Sequence, residues 1–198
     1  MNLPNKLTIF RIILVPIMVI IPYLNIQEEI FEIPIEYLII DLIFIIASIT
    51  DKLDGSIARK KNLVTTFGKF LDPIADKILV LAALIILVSL GKVPAWIPII
   101  VLFREFIVSG YRLVASTNGG EVIAASKWGK LKTVTQMIAI ILAFLDIYSF
   151  CDFIHTSMTT PRFIINILAS IFMIISVIAT VFSGIDYLKS GKELLKDK

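Results

Sequence analysis

The chain has 198 residues, is 58% hydrophobic with a mean hydropathy of +0.92, and carries a net charge of +3. That is more apolar surface than a soluble core of this length needs, so a soluble globular domain is excluded. The modest charge fits anionic lipid headgroups better than nucleic acid, and no Gly-rich nucleotide loop of the Walker or Rossmann type is present.

Six apolar stretches are long enough, or become so when helix continues through their charged ends, to cross a bilayer. They run from Leu7 to Ile26, Ile35 to Thr50, Ile78 to Leu90, Ala95 to Ala115, Val134 to Phe150 and Phe163 to Tyr187. The expected fold is therefore an all-α polytopic membrane protein of six transmembrane helices. Without repeats, low-complexity segments or long linkers, residues 1–198 read as one domain.

In chain order, Asn2 to Thr8 reads as a membrane-surface segment, with Pro4 and Asn5 fixing a turn and Thr8 near a helix start. The first span carries Arg11 and Pro16, is too long for a signal-peptide core and lacks an A-x-A-like site, so it is expected to be retained. The loop after it holds Glu28, Glu29 and Glu32.

The second and third spans carry the most informative pattern: Asp51-x-x-Asp54-Gly55-x-x-Ala58-Arg59, eight residues, then Gly68-x-x-x-Asp72-x-x-x-Asp76. At 100° per residue, Asp51, Asp54, Gly55 and Ala58 share one helix face, and Gly68, Asp72 and Asp76 share another. A carboxylate in a bilayer costs about 2.5–3.5 kcal/mol, so four together require compensation. Two helices joined by the basic stretch from Arg59 to Lys69 would gather four oxygen donors in one cleft. Such donors, without His or Cys, favour Mg²⁺, Mn²⁺ or Ca²⁺ over zinc or copper. Four carboxylates also suffice for two ions clamping a phosphoryl group during in-line displacement. Glycine within a helix costs about 1 kcal/mol relative to alanine, so Gly55 and Gly68 are expected where a ligand or a neighbouring helix comes close.

The fourth span carries Arg104, Glu105 and Arg112. Arg104 lies deep and needs a partner, for which Glu105 or a ligand phosphate could serve. Ser126 to Thr133 opens the fifth helix with Lys127, Lys130 and Lys132, of which Lys127 is explained by snorkelling to the interface. Cys151 and His155 fall in an outer loop; the lone cysteine forms no intramolecular disulfide and the histidine is far from the aspartates. With six spans, Lys6, Arg59 to Lys69, Lys127 to Lys132 and the lysine-rich tail all fall on one side. Both termini and the aspartate motif are then cytosolic.

The aspartate string resembles, at every fixed position, the signature of the CDP-alcohol phosphotransferases, membrane enzymes that move a phosphatidyl or related group from a CDP-linked donor to an alcohol. Three further strings, N-L-P-N-x-L-T-x-x-R at the start, R-E-x-x-x-S-x-x-R from Arg104 and G-K-x-K-T from Gly129, are similar to the phosphatidylglycerophosphate synthase subfamily. The resemblance implies CDP-diacylglycerol as donor, glycerol 3-phosphate as acceptor, phosphatidylglycerol phosphate and CMP as products, Mg²⁺ or Mn²⁺ as cofactor, membrane lipids as surroundings and a homodimer as the assembly. It casts Asp51, Asp54, Asp72 and Asp76 as metal ligands, with Asp76 also the general base. Gly55, Ala58, Arg59 and Gly68 are assigned to the donor. A dianionic acceptor needs cations, and Arg104, Arg112, Lys130 and Lys132 are the candidates. Two alternatives remain open: inositol phosphate, serine or phosphatidylglycerol as acceptor, or a divalent-cation carrier that uses the carboxylates for transport.

Overall fold

A computed structural model describes residues 3–60, 66–117 and 127–190, with side chains described for 5–51, 71, 74–111 and 127–189. Six helices dominate: α1 (Leu3–Ile20), α2 (Ile35–Lys60), α3 (Thr66–Ser89), α4 (Trp96–Thr117), α5 (Lys127–Leu145) and α6 (Thr160–Ser190). Short 3-10 turns follow α1 at Ile21–Leu24 and precede α6 at Asp152–Ile154. Between α1 and α2 lies a two-stranded hairpin, β1 (Glu29–Ile30) and β2 (Ile33–Pro34), with Ile30 opposite Ile33.

Helix α6 shows what environment the fold is built for. Its buried face mixes Asn166, Ser170, Ser176, Thr180 and Ser183 with Ala169, Met173, Val177, Ala179 and Tyr187, whereas Ile164, Ile171, Ile174, Ile178, Val181, Phe182 and Ile185 face outward. An outer face of large apolar side chains over a partly polar inner face suits a bilayer, because lipid solvates the outward isoleucines and the helix satisfies its own backbone. The buried hydroxyls bond within the helix, Ser176 Oγ to the Met173 carbonyl at 2.8 Å and Thr180 Oγ1 to that of Ser176 at 2.6 Å. Small residues let α5 and α6 approach closely: Ala139 and Ala143 lie one turn apart on α5 and share a core with Met173 and Val177 of α6.

Among the described residues, three helices are long and apolar enough by themselves to cross a membrane, over Asn5–Leu24, Lys127–Leu145 and Thr160–Lys189. The remaining three, α2, α3 and α4, have 26, 24 and 22 residues, and they carry the four aspartates together with Arg104, Glu105 and Arg112. The chain's two tryptophans sit at opposite ends of the bundle, Trp128 stacked on Phe182 at 4.9 Å and Trp96 edge-on to Phe150 at 6.3 Å. Aromatic side chains at both ends suit the two membrane interfaces.

Two boundaries differ from the sequence expectation. Helix α1 already includes residues 3–8 where a turn was expected, since proline is tolerated in a first turn whose amides need no intrahelical acceptor. Helix α5 ends at Leu145 rather than Phe150, because Asp146 accepts the Tyr148 amide at 3.0 Å and the Asn166 amide group at 2.6 Å, holding the chain in a turn. Helix α3 stops in a Schellman arrangement: Gly91, at φ +70°, donates to the Val88 carbonyl at 3.0 Å and Lys92 to that of Leu87 at 2.9 Å.

Candidate active site

Every helix contributes to one polar layer near the end of the bundle where α5 begins. From α1, Arg11 is fully buried, bonds the Ala47 carbonyl through Nε at 3.3 Å and pairs with Asp51 of α2 at 2.7 Å. From α3 come Asp76 and Lys77, from α4 Arg104, Glu105 and Ser109, from α5 Lys132, and from α6 Ser183. Asp51, Lys132, Arg11 and Glu105 all lie within electrostatic range of Asp76. The first and last aspartates of the motif, 25 positions apart in sequence, are thus brought to one place.

The ligand chemistry fits a hard divalent cation. The described donors at this point are carboxylate oxygens, while His155 and Cys151 sit at the far end of α5, a helix of 19 residues spanning about 28 Å. Among the described residues no group of three or more His, Cys, Asp or Glu side chains is gathered for a metal. The side chains of Asp54 and Asp72, on the helices that carry Asp51 and Asp76, lie outside the described residues, as do those of Ala58, Arg59 and Arg112. The side-chain surroundings of Gly55 and Gly68 also lie outside them.

The four cations expected to hold an acceptor phosphate do not behave alike. Lys130 is exposed at the start of α5. Arg104 and Lys132 are both engaged: Arg104 Nη1 and Lys132 Nζ donate to the same Glu105 oxygen, Oε1, at 2.8 and 2.7 Å. Arg104 also donates to Ser183 Oγ at 2.6 Å and lies 5.7 Å from the Tyr187 ring centre. Glu105 is therefore a hub joining α4, α5 and, through Arg104, α6. Its backbone is fixed as well, since Ser109 Oγ donates to the Glu105 carbonyl at 2.6 Å and Lys77 of α3 donates to Ser109 Oγ. A buried lysine and a partly buried arginine on one carboxylate match the charge rule for low-dielectric sites, in which ions persist only when paired.

Sequence reasoning named Glu105 only as a partner for Arg104 and left Arg11 without a role. The signal for Arg11 was available, because a guanidinium in the middle of an apolar span requires an anion, and Asp51 is the first carboxylate of the motif. The double pairing of Glu105 had no such signal, as it depends on the long Lys132 side chain of α5 reaching the Glu105 carboxylate on α4.

The CDP-alcohol phosphatidyltransferase family model matches residues 1–182. The chain is 45% identical over 202 aligned residues to the CDP-diacylglycerol–glycerol-3-phosphate 3-phosphatidyltransferase of Bacillus subtilis, covering 98% of this chain and 97% of that one. It is 40% identical to the protein of the same name from Haemophilus influenzae, covering 99% and 96%, and 36% identical to a probable phosphatidylglycerophosphate synthase of Mycobacterium tuberculosis, covering 94% and 79%. With the aspartate string intact across α2 and α3 and the match extending over nearly its whole length, the chain belongs to the CDP-alcohol phosphatidyltransferase family.

Proposed function

We propose that the protein transfers the phosphatidyl group of CDP-diacylglycerol to glycerol 3-phosphate, releasing CMP and forming phosphatidylglycerol phosphate. The observation that carries this reading is the electrostatic proximity of Asp51 to Asp76, beside Glu105 and Lys132, in a chain whose relatives, matched over nearly its whole length, bear that activity in their names. The acceptor's hydroxyl oxygen bonds to the phosphatidyl phosphorus as the bond from that phosphorus to the CMP oxygen breaks. Asp76 takes the hydroxyl proton. Arg11 holds Asp51 in place, and Asp51, Asp54, Asp72 and Asp76 would hold two Mg²⁺ or Mn²⁺ ions. Such ions supply charge neutralisation for the pyrophosphate and lower the pKa of a bound hydroxyl. Gly55, Ala58, Arg59 and Gly68 form the donor's side of the cleft, and Arg112 and Lys130 hold the acceptor phosphate with help from Arg104 and Lys132.

All six helices span the membrane in this reading, with both termini and the aspartates cytosolic, where nucleotide-linked donor and divalent ions are available. The protein works as a homodimer, an assembly supported by its family. Purified protein given CDP-diacylglycerol and Mg²⁺, with glycerol 3-phosphate, serine, inositol 1-phosphate or phosphatidylglycerol in separate reactions, tests class and acceptor together. CMP release should require glycerol 3-phosphate; release with serine or inositol 1-phosphate alone would refute the assignment.

A further inference from the structure

Asp76, Lys77, Glu105 and Lys132 line a cavity of about 20 Å³ between α3, α4 and α5, closed on its apolar side by Val80, Leu81 and Val101. That is room for a single water-sized group. Within it, Glu105 is only half used. Both cations bond Oε1, and among the described residues no donor reaches Oε2, which is not one of the fully enclosed unsatisfied atoms. A carboxylate held at one oxygen by two cations and lining a space of this size beside Asp76, Lys77 and Lys132 is suited to accept a hydrogen bond from a hydroxyl at its other oxygen.

Glycerol 3-phosphate brings two hydroxyls. The primary one is the less hindered nucleophile and belongs at Asp76, which leaves the secondary hydroxyl, one carbon away, to be accommodated next to it. We propose that Glu105, through Oε2, recognises this non-reacting hydroxyl and so makes the enzyme selective for acceptors with adjacent hydroxyls. The inference rests on the acceptor assigned above. It gives the Arg104–Glu105–Lys132 cluster a purpose beyond charge balance: the two cations hold Oε1 so that Oε2 presents one fixed lone-pair direction to the cavity. Ser109 and Lys77 fix the backbone from which the side chain departs.

The test compares two acceptors on one enzyme. Glycerol 3-phosphate and 3-hydroxypropyl phosphate share the phosphate and the primary hydroxyl, and only the first has the secondary hydroxyl. With CDP-diacylglycerol and Mg²⁺, the parent enzyme should favour glycerol 3-phosphate in kcat/KM by at least about 10-fold, the expected effect of a hydrogen bond to a charged acceptor. Glu105→Met keeps the side-chain length and removes the acceptor, so the preference should fall to about 1. Glu105→Gln replaces a charged bond with a neutral one and should lower the preference about 5-fold. Because the preference is a ratio measured on the same protein, a lower active fraction cancels. Should the Met variant fail to fold, the Gln variant decides. A parent preference near 1, or an unchanged preference in Glu105→Gln despite active enzyme, overturns the proposal while leaving the acceptor assignment standing. Absence of CMP release from the parent enzyme with glycerol 3-phosphate overturns both.

Discussion

Arg11 and Glu105 solve the same problem in opposite senses. One fully buried cation answers a carboxylate at 2.7 Å, and one buried carboxylate answers two cations at 2.7 and 2.8 Å. At this scale the metal assignment is directly testable. Asp51→Asn, Asp54→Asn or Asp72→Asn should each remove nearly all CMP release, and excess chelator should do the same to the parent enzyme. Full activity in chelator would refute metal dependence. Asp76→Asn should keep CDP-diacylglycerol binding and lose turnover, because the residue is assigned chiefly to the proton; binding and single-turnover measurements on the variant separate the two. The cations divide by their surroundings. Lys130 is exposed, so Lys130→Gln should raise the glycerol 3-phosphate KM by roughly 10- to 150-fold, the equivalent of about 1.5–3 kcal/mol, without lowering the melting temperature. Lys132→Gln should raise the KM and also lower the melting temperature, since it leaves Glu105 with a single cation.

At the scale of elements, α1 and α2 are tied by the Arg11 guanidinium, which bonds a backbone carbonyl and a carboxylate one turn further along α2. Removing one partner of a buried ion pair costs about 3–5 kcal/mol. Arg11→Met should therefore lower thermal stability markedly in detergent, and Arg11→Met combined with Asp51→Asn should lower it less than the single change. A double variant no more stable than Arg11→Met alone would show that the pair is not what holds the helices. Most of this architecture was legible in the sequence. The apolar runs locate six helices, because a bilayer imposes a minimum span that composition reveals. The Asp51 to Asp76 spacing assigns the aspartates to one face of α2 and one face of α3, because helical periodicity fixes which residues share a face. What could not be read was which cation meets which anion. Arg104 and Lys132 look alike as unpaired positive charges along the chain; Arg104 is Glu105's neighbour on α4, and only the folded bundle brings Lys132 of α5 within reach of the same carboxylate. The end of α5 was also hidden, since Asp146 turns the chain through contacts with Asn166, 20 positions later.

For the molecule as a whole, the apolar outer face of α6 and the tryptophans at opposite ends support a bilayer-spanning bundle with the polar layer on one side. Cys151 lies between α5 and α6, at the end opposite the layer, and is a free thiol of intermediate exposure. In sealed right-side-out vesicles it should react with an impermeant thiol reagent, whereas a cysteine introduced by Lys61→Cys into a protein carrying Cys151→Ser should not. Equal labelling of both would contradict a six-span topology with cytosolic aspartates.

The hairpin between α1 and α2 turns through Phe31 and Glu32, at φ 52° and 64°, a two-residue turn usually built from Asn and Gly. Arg162, at the start of α6, grips it by donating to the Phe31 carbonyl and to the Glu32 carboxylate. This clasp joins positions about 130 residues apart, so during synthesis its first half emerges long before its second. The strained turn has no support from Arg162 until α6 has been inserted. A later helix therefore completes an earlier loop: α6 acts as a late-arriving bolt, and the hairpin after α1 acquires its final shape only once the four helices between it and α6 have been made.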